Sequence, residues 1–389
     1  MRPSSSATGC GGLATGVARR MKRLGGWWVN VQEESMATKM RVGAIGAGAM
    51  LSALIMLSQV GCEAAMERVV RAQATAPASI DASDGALHVV LCGTGSPLAD
   101  ADRAAACTAV LAGGHFFIID AGPGSWENLQ LWRLPIDGVS GVLLTHFHSD
   151  HIGELGEVMT QSWVASGRAE PLPVFGPPGV SEVVDGFNRA YAFDRVYRRA
   201  HHTPEFMPER GGLAVAHDFA MPAPGEATTV FDADGLRIMA FAVDHAPVQP
   251  AVGYRIEFGG RSVVVSGDTT RSSSLVKNAQ GADLLIHEAL SFELMGRVSR
   301  IVTEAGRPRL GKLAGDVLDY HTSPAQAKEI ADEAGVELLV LTHNVPPLRN
   351  ALIERFFVQG VDMDGVVIGD DGLHFTLPAD SQTIEQASF

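Results

Sequence analysis

The stretch THFHSDHIGE, residues 145–154, places His146, His148, Asp150 and His151 within six positions, directly after the apolar run GVLL at 141–144. Such a run reads as a buried strand, and strand ends are where an α/β fold presents polar side chains at one rim. If residue 146 ends the strand, His146 and His148 point into the same mouth, and Asp150 and His151 fall in the next turn, where a helix begins. Neutral imidazoles and carboxylates are the donors that zinc and similar divalent ions take. So many polar groups at a buried strand end need a partner that offsets their desolvation. Four donors in six residues exceed what one open catalytic metal draws from a single loop, so the pattern points to two adjacent metals sharing it.

Working outward, four more strand-like runs end in His or Asp: DH at 244–245, GD at 267–268, IHE at 286–288 and LTH at 341–343. Strands are expected over 87–93, 115–121, 141–146, 236–243, 252–258, 261–267, 282–288 and 337–343, with a hairpin at Gly259-Gly260. Helical spacing covers 151–165, 178–192 and 325–335, the last entered at Ser323-Pro324 and left at a glycine. Hairpins mixed with helices, without strict alternation, favour a layered α/β body of two sheets with helices outside. The Gly/Pro-rich stretch 200–229 reads as a surface excursion.

The chain's 389 residues, 46% of them apolar, give one large domain or two small ones after a distinct leader. Residues 1–35 are Gly/Ser/Arg-rich. From Met36 the order is Lys39 and Arg41, an uncharged run Val42–Val60, then small residues and Cys62. That order is a secretory signal, so export to the periplasm or envelope is expected, with Met36 a natural start. A retained membrane anchor and lipidation at Cys62 stay open as alternatives. Residues 63–83 read as a flexible linker and 84–389 as the catalytic body. The leader holds seven Lys/Arg and two Asp/Glu, leaving a body of net charge −19 that phosphate backbones would repel unless a local basic patch intervened. Of four cysteines, only Cys92 and Cys107 lie in the body, as either a disulfide or two buried thiols.

The H-x-H-x-D-H run resembles the hallmark of the metallo-β-lactamase fold superfamily, over roughly residues 87–376. Within it the chain looks most like ribonuclease Z and exported arylsulfatase-like relatives. The carriers are GTGSP at 93–97, Asp120 in IDAGPG, VFGPPG at 174–179, His245 upstream of GYRI, SGDT at 266–269, HEA at 287–289, HTS at 321–323 and LTH at 341–343. The resemblance implies a four-layer αβ/βα sandwich with two Zn(2+) ions, or Mn or Fe, at the rim. It assigns His146, His148 and His245 to one metal, Asp150, His151 and His343 to the other, and Asp268 as the bridge, with a hydroxide between them. Asp150 would orient or deprotonate the water. His321 would steady the scissile group or protonate the leaving group. Asp120 would brace the loop, and His287 and Glu288 would orient ligands. A homodimer is common among such relatives.

These features lead to an exported dinuclear-metal hydrolase of small esters: aryl sulfates, phosphodiesters or lactones. The alternatives are a ribonuclease Z-type tRNA 3′-processing endonuclease and a β-lactam hydrolase. RNA work would call on Arg189, Arg195, Arg198, Arg199 and Arg210 with Tyr191, Phe193, Tyr197 and Phe206 as a stacking surface, yet the leader and the acidic body disfavour nucleic acid as partner. The residues that would choose among substrates are expected within 158–250 and 289–320.

Overall fold

The computed structural model describes residues 63–389; the signal segment, the Met36 start and Cys62 lie outside the described residues. The chain divides into two units, residues 1–76 and 77–389. In the first unit, residues 63–75 are helical and exposed where a linker was expected. The alanine-rich EAAMERVVRAQA has high intrinsic helix propensity, which accounts for a helix there. The far end of that stretch belongs to the second unit, where Ile80 is buried in the core.

Strands β1 (Ala86–Gly93), β2 (Cys107–Ala112), β3 (His115–Ile119), β4 (Val139–Leu143), β5 (Leu172–Gly176) and β6 (Ala214–Asp218) build most of the first sheet. The second takes β7 (Ala227–Ala233), β8 (Leu236–Ala242), β9 (Val252–Phe258), β10 (Arg261–Val265), β11 (Leu284–Leu290), β12 (Leu338–Val345) and β13 (Val366–Ile368). Then β14 (Leu373–Pro378) and β15 (Glu385–Ser388) return to the first. The spatial orders are β15-β14-β1-β2-β3-β4-β5-β6 and β13-β12-β11-β10-β9-β8-β7.

Side-chain alternation sorts the apolar residues into three layers. Val89, Leu91, Val110, Phe117 and Leu143 of the first sheet meet Ile238, Tyr254, Val263 and Ile286 of the second. On the outer face of the first sheet, Val90, Ile118 and Val142 pack with helices α1 (Ser125–Leu131), α3 (Leu155–Ser166) and α4 (Val180–Ala190); the short α2 (Ser149–Ile152) precedes α3. Helix α5 (Ala192–His202) follows α4 and buries none of its residues. On the outer face of the second sheet, Val264, Leu285 and Leu339 pack with α6 (Ser273–Asn278), α9 (Pro324–Ala334) and α10 (Ala351–Phe357). Helices α7 (Phe292–Glu304) and α8 (Pro308–Asp316) lie between β11 and α9 in the chain. This is the expected sandwich of two sheets between helical layers.

Two local readings differ. The helix expected over 151–165 is broken between Ile152 and Leu155, at Gly153-Glu154. The Glu154 carboxylate is turned to accept from the Trp126 backbone N–H at 2.8 Å. Within the 200–229 excursion, Ala214–Asp218 pairs in parallel with β5 as an edge strand. Cys92 and Cys107 form a disulfide joining β1 to β2.

Candidate metal centre

The loop after β4 is fixed from below by Asp120. Its Oδ1 accepts from the Thr145 N–H at 2.8 Å and its Oδ2 from the Thr145 hydroxyl at 2.7 Å. Asp120 sits at φ 59° and His343 at φ 48°, left-handed conformations that side chains adopt only where the surroundings impose them. Gly267, φ 61°, precedes Asp268; a Cβ there would come within 2.7 Å of the Val252 carbonyl oxygen, so only glycine lets the SGDT turn approach β9 this closely.

These turns bring the expected donors together. His146, His148, His245 and Asp268 offer ligand atoms within 4.8 Å of one another; so do Asp150, His151 and His343, and a third grouping joins Asp268, His321 and His343. Asp268 Oδ2 lies between the first two, 3.8 Å from His146 Nε2 and His245 Nε2, 3.4 Å from His151 Nε2 and 3.5 Å from His343 Nε2. Asp150 Oδ2 is 3.1 Å from His343 Nε2. His148 Nδ1 is 3.0 Å from His146 Nε2.

Whether these residues fit a metal is decided by their outer nitrogens. His151 Nδ1 donates to Asp120 Oδ2 at 2.7 Å and His245 Nδ1 to the Tyr320 carbonyl at 2.8 Å. Those bonds fix the tautomers and turn both Nε2 lone pairs into the cluster, where each is buried without a hydrogen-bond partner. Buried imidazole nitrogens aimed together beside two carboxylates fit a divalent metal. Electrostatics agree. Burial alone would raise the Asp268 carboxyl, but the surrounding imidazoles, His343 first, hold it well below the usual carboxylate range. Burial and the neighbouring His151 push His146 well below its usual value, so it is neutral and ready to ligate. For His151, burial opposes a charge, yet Asp268 and Asp120 raise it well above the usual range, so a proton there competes with a metal.

Glu288 forms a second tier. Its Oε1 accepts from the Thr269 N–H at 3.2 Å, the Thr322 N–H at 3.1 Å and His321 Nδ1 at 3.0 Å. Burial disfavours the charged His321, but the Glu288 carboxylate outweighs it and pushes the imidazole up to about 9. His287 stands apart from the donors. Its Nδ1 faces the Glu288 backbone oxygen at 2.7 Å, and its Nε2 is buried without a partner among the described residues.

Sequence reasoning missed Thr145, Thr269 and Thr322, which lock the acidic residues, and Tyr320, whose carbonyl orients His245 and whose ring packs on it at 4.8 Å. The threonines stand in the very TH, GDT and HTS runs that supplied the donors; Tyr320 gives no signal beyond its place before His321. A cavity of about 550 Å³ opens beside the cluster, touching His148, Asp150, Asp268, His321 and His343. Its far wall comes from 290–320 and 96–98, and none of its lining lies in 158–250.

Residues 115–344 match the beta-lactamase superfamily domain. A ribonuclease Z of Mycobacterium bovis (strain BCG / Pasteur 1173P2) is 40% identical over 269 residues, covering 67% of this chain and 87% of that relative. One from Mycolicibacterium paratuberculosis (strain ATCC BAA-968 / K-10) is 37% identical over 294 residues, 73% of this chain and 96% of the relative. Among solved structures, the short form of human tRNase Z aligns with TM-score 0.55 and 20% identity, over 75% of this chain and 99% of that one. The metallo-beta-lactamase fold protein YhfI from Bacillus subtilis aligns with TM-score 0.53 and 20% identity, over the same shares. The chain therefore belongs to the metallo-β-lactamase superfamily, in its ribonuclease Z branch, and is a metal-dependent hydrolase.

Proposed function

We propose that the chain hydrolyses phosphodiesters as a ribonuclease Z-type endonuclease acting at the 3′ side of precursor tRNA. This reverses the order of preference drawn from the sequence, because the likeness to the mycobacterial ribonucleases Z runs through 87% of the relative's length. The geometric observation that carries it is the His321–Glu288 pair at 3.0 Å on the cleft wall, with a His321 ring nitrogen grouped with Asp268 and His343. A raised imidazole there donates a proton to the oxygen leaving phosphorus, which a nucleoside alkoxide needs. Asp150, held ionised by His343 and His151 against the burial that would raise it, accepts a proton from the attacking water. The donor groupings support two ions, with zinc as the proposed pair and manganese or iron as alternatives. Bound there, such ions lower the pKa of water and polarise the ester. RNA would meet helix α5, where Phe193 and Tyr197 are exposed with rings 6.3 Å apart.

A second reading, an exported hydrolase of small esters, is favoured by the Cys92–Cys107 disulfide, since such bonds persist in oxidising compartments. Metal-loaded protein assayed on precursor tRNA, bis(p-nitrophenyl) phosphate, an aryl sulfate, a lactone and a cephalosporin separates the two. Chelator-sensitive removal of the 3′ trailer supports the nuclease. Turnover confined to a small ester, with the tRNA uncut, overturns it.

A further inference from the structure

The wall of the cleft facing the donors is unlike the donors. Met295, Val298 and Val302 of α7 and Leu310 and Leu313 of α8 line it, with Leu98 from the loop after β1. Met295 is anchored in a small core with Leu290 and Val345. Beyond that core Val298, Leu310 and Leu313 remain 37%, 41% and 51% exposed, on helices held together by the Ser299 hydroxyl donating to the Gly311 carbonyl at 2.7 Å. Apolar side chains projecting from a braced hairpin into a cavity are surface that water leaves readily when an apolar group enters. One charged side chain lines the wall: Arg307, exposed, with no ion pair among the described residues. The opposite side is the His/Asp cluster itself, so an occupant of the wall has its other end at the metal centre.

We propose that this cleft binds anionic esters carrying an apolar alkyl or aryl group: the acidic head at the metal centre, the apolar group along α7–α8. The proposal rests on the metal-hydrolase assignment and goes beyond the nuclease reading, because a nucleoside is polar where this wall is not. Continuity of the apolar wall with a His/Asp cluster that fits divalent cations commits the occupant to an amphiphilic anion.

The probes are methylphosphonate and hexylphosphonate, titrated calorimetrically into the zinc-loaded full chain and tested as inhibitors of bis(p-nitrophenyl) phosphate hydrolysis. Each fully buried methylene strengthens binding about fourfold. Because the cleft is open, hexylphosphonate is expected to bind at least tenfold tighter than methylphosphonate. Leu310→Asn/Leu313→Asn, both exposed positions, should bring that ratio to within about threefold, while Ile301→Asn, on α7 outside the cleft, should keep it. A wild-type ratio near one, or a ratio that survives the double substitution, overturns the proposal. The calorimetric ratio does not depend on turnover. A large ratio with no phosphodiester hydrolysed retires the nuclease reading and sustains the wall, whereas tRNA cleavage with a ratio near one does the reverse.

Discussion

Replacing Glu288 with glutamine removes the carboxylate that raises His321 while keeping an oxygen that can accept from Thr269 and Thr322. His321 sits at about 9 against an ordinary 6.5, with burial pulling it the other way. Without the carboxylate, burial pulls the imidazole down toward its ordinary 6.5, with Asp268 still opposing the fall. At pH 8 a group at 9 is about nine-tenths protonated and one at 6.5 about 3%, so turnover that needs the proton drops up to roughly thirtyfold. Nearby cations lower both values, and the quantity predicted is the gap: the alkaline limb of kcat/KM moves down by about two pH units in Glu288→Gln. Metal-free protein carries the same signature in stability. A folded-state pKa above the unfolded one stabilises fully below pH 6.5, and that stability is lost as pH rises through about 9, roughly 3 kcal/mol in all. Denaturant titrations of chelated protein at pH 6 and 9.5 should show this loss in the wild type and little of it in the variant. Coincident alkaline limbs in the two proteins would refute His321 as the proton donor.

Asp150→Ala should abolish most turnover with the fold retained by circular dichroism; unchanged turnover removes Asp150 from the mechanism. His148→Ala should lower bound metal by elemental analysis, and full occupancy would contradict its place among the ligands. Asp120→Asn should weaken metal binding ten- to a hundredfold, since the amide no longer holds His151 Nδ1 as the carboxylate does. A competitive-chelator titration measures this, and unaltered affinity would reduce Asp120 to a loop brace. Reducing the Cys92–Cys107 bond, which closes a 15-residue separation, should cost about 3 kcal/mol in denaturant unfolding; equal midpoints with and without reductant would show the bond adds nothing.

The donor set was legible because metal chemistry concentrates its residues at strand ends, so His146, Asp268 and His343 stand beside apolar runs that periodicity finds. Most strands were legible for the same reason: buried on both faces, as in β1 and β11, they read as continuous apolar runs. What escaped was anything fixed by tertiary pairing. Ala214–Asp218 is an edge strand with only one buried residue, so its sequence carries little pattern. The role of Tyr320 is exercised by a backbone carbonyl, which every residue has. The cleft wall could be narrowed to two segments, but only the packing of α7 against α8 shows that 290–320 supplies it and 158–250 does not.

The donors come from both sheets. His146, His148, Asp150 and His151 follow β4 of the first; His245, Asp268 and His343 follow or end β8, β10 and β12 of the second. The 3.1 Å contact between Asp150 and His343 joins positions 193 residues apart. A ribosome must therefore release nearly the whole chain before the pocket has all its corners. The complete donor set thus exists only once both sheets have been made, and a metal that needs donors from both cannot be held by the first half alone.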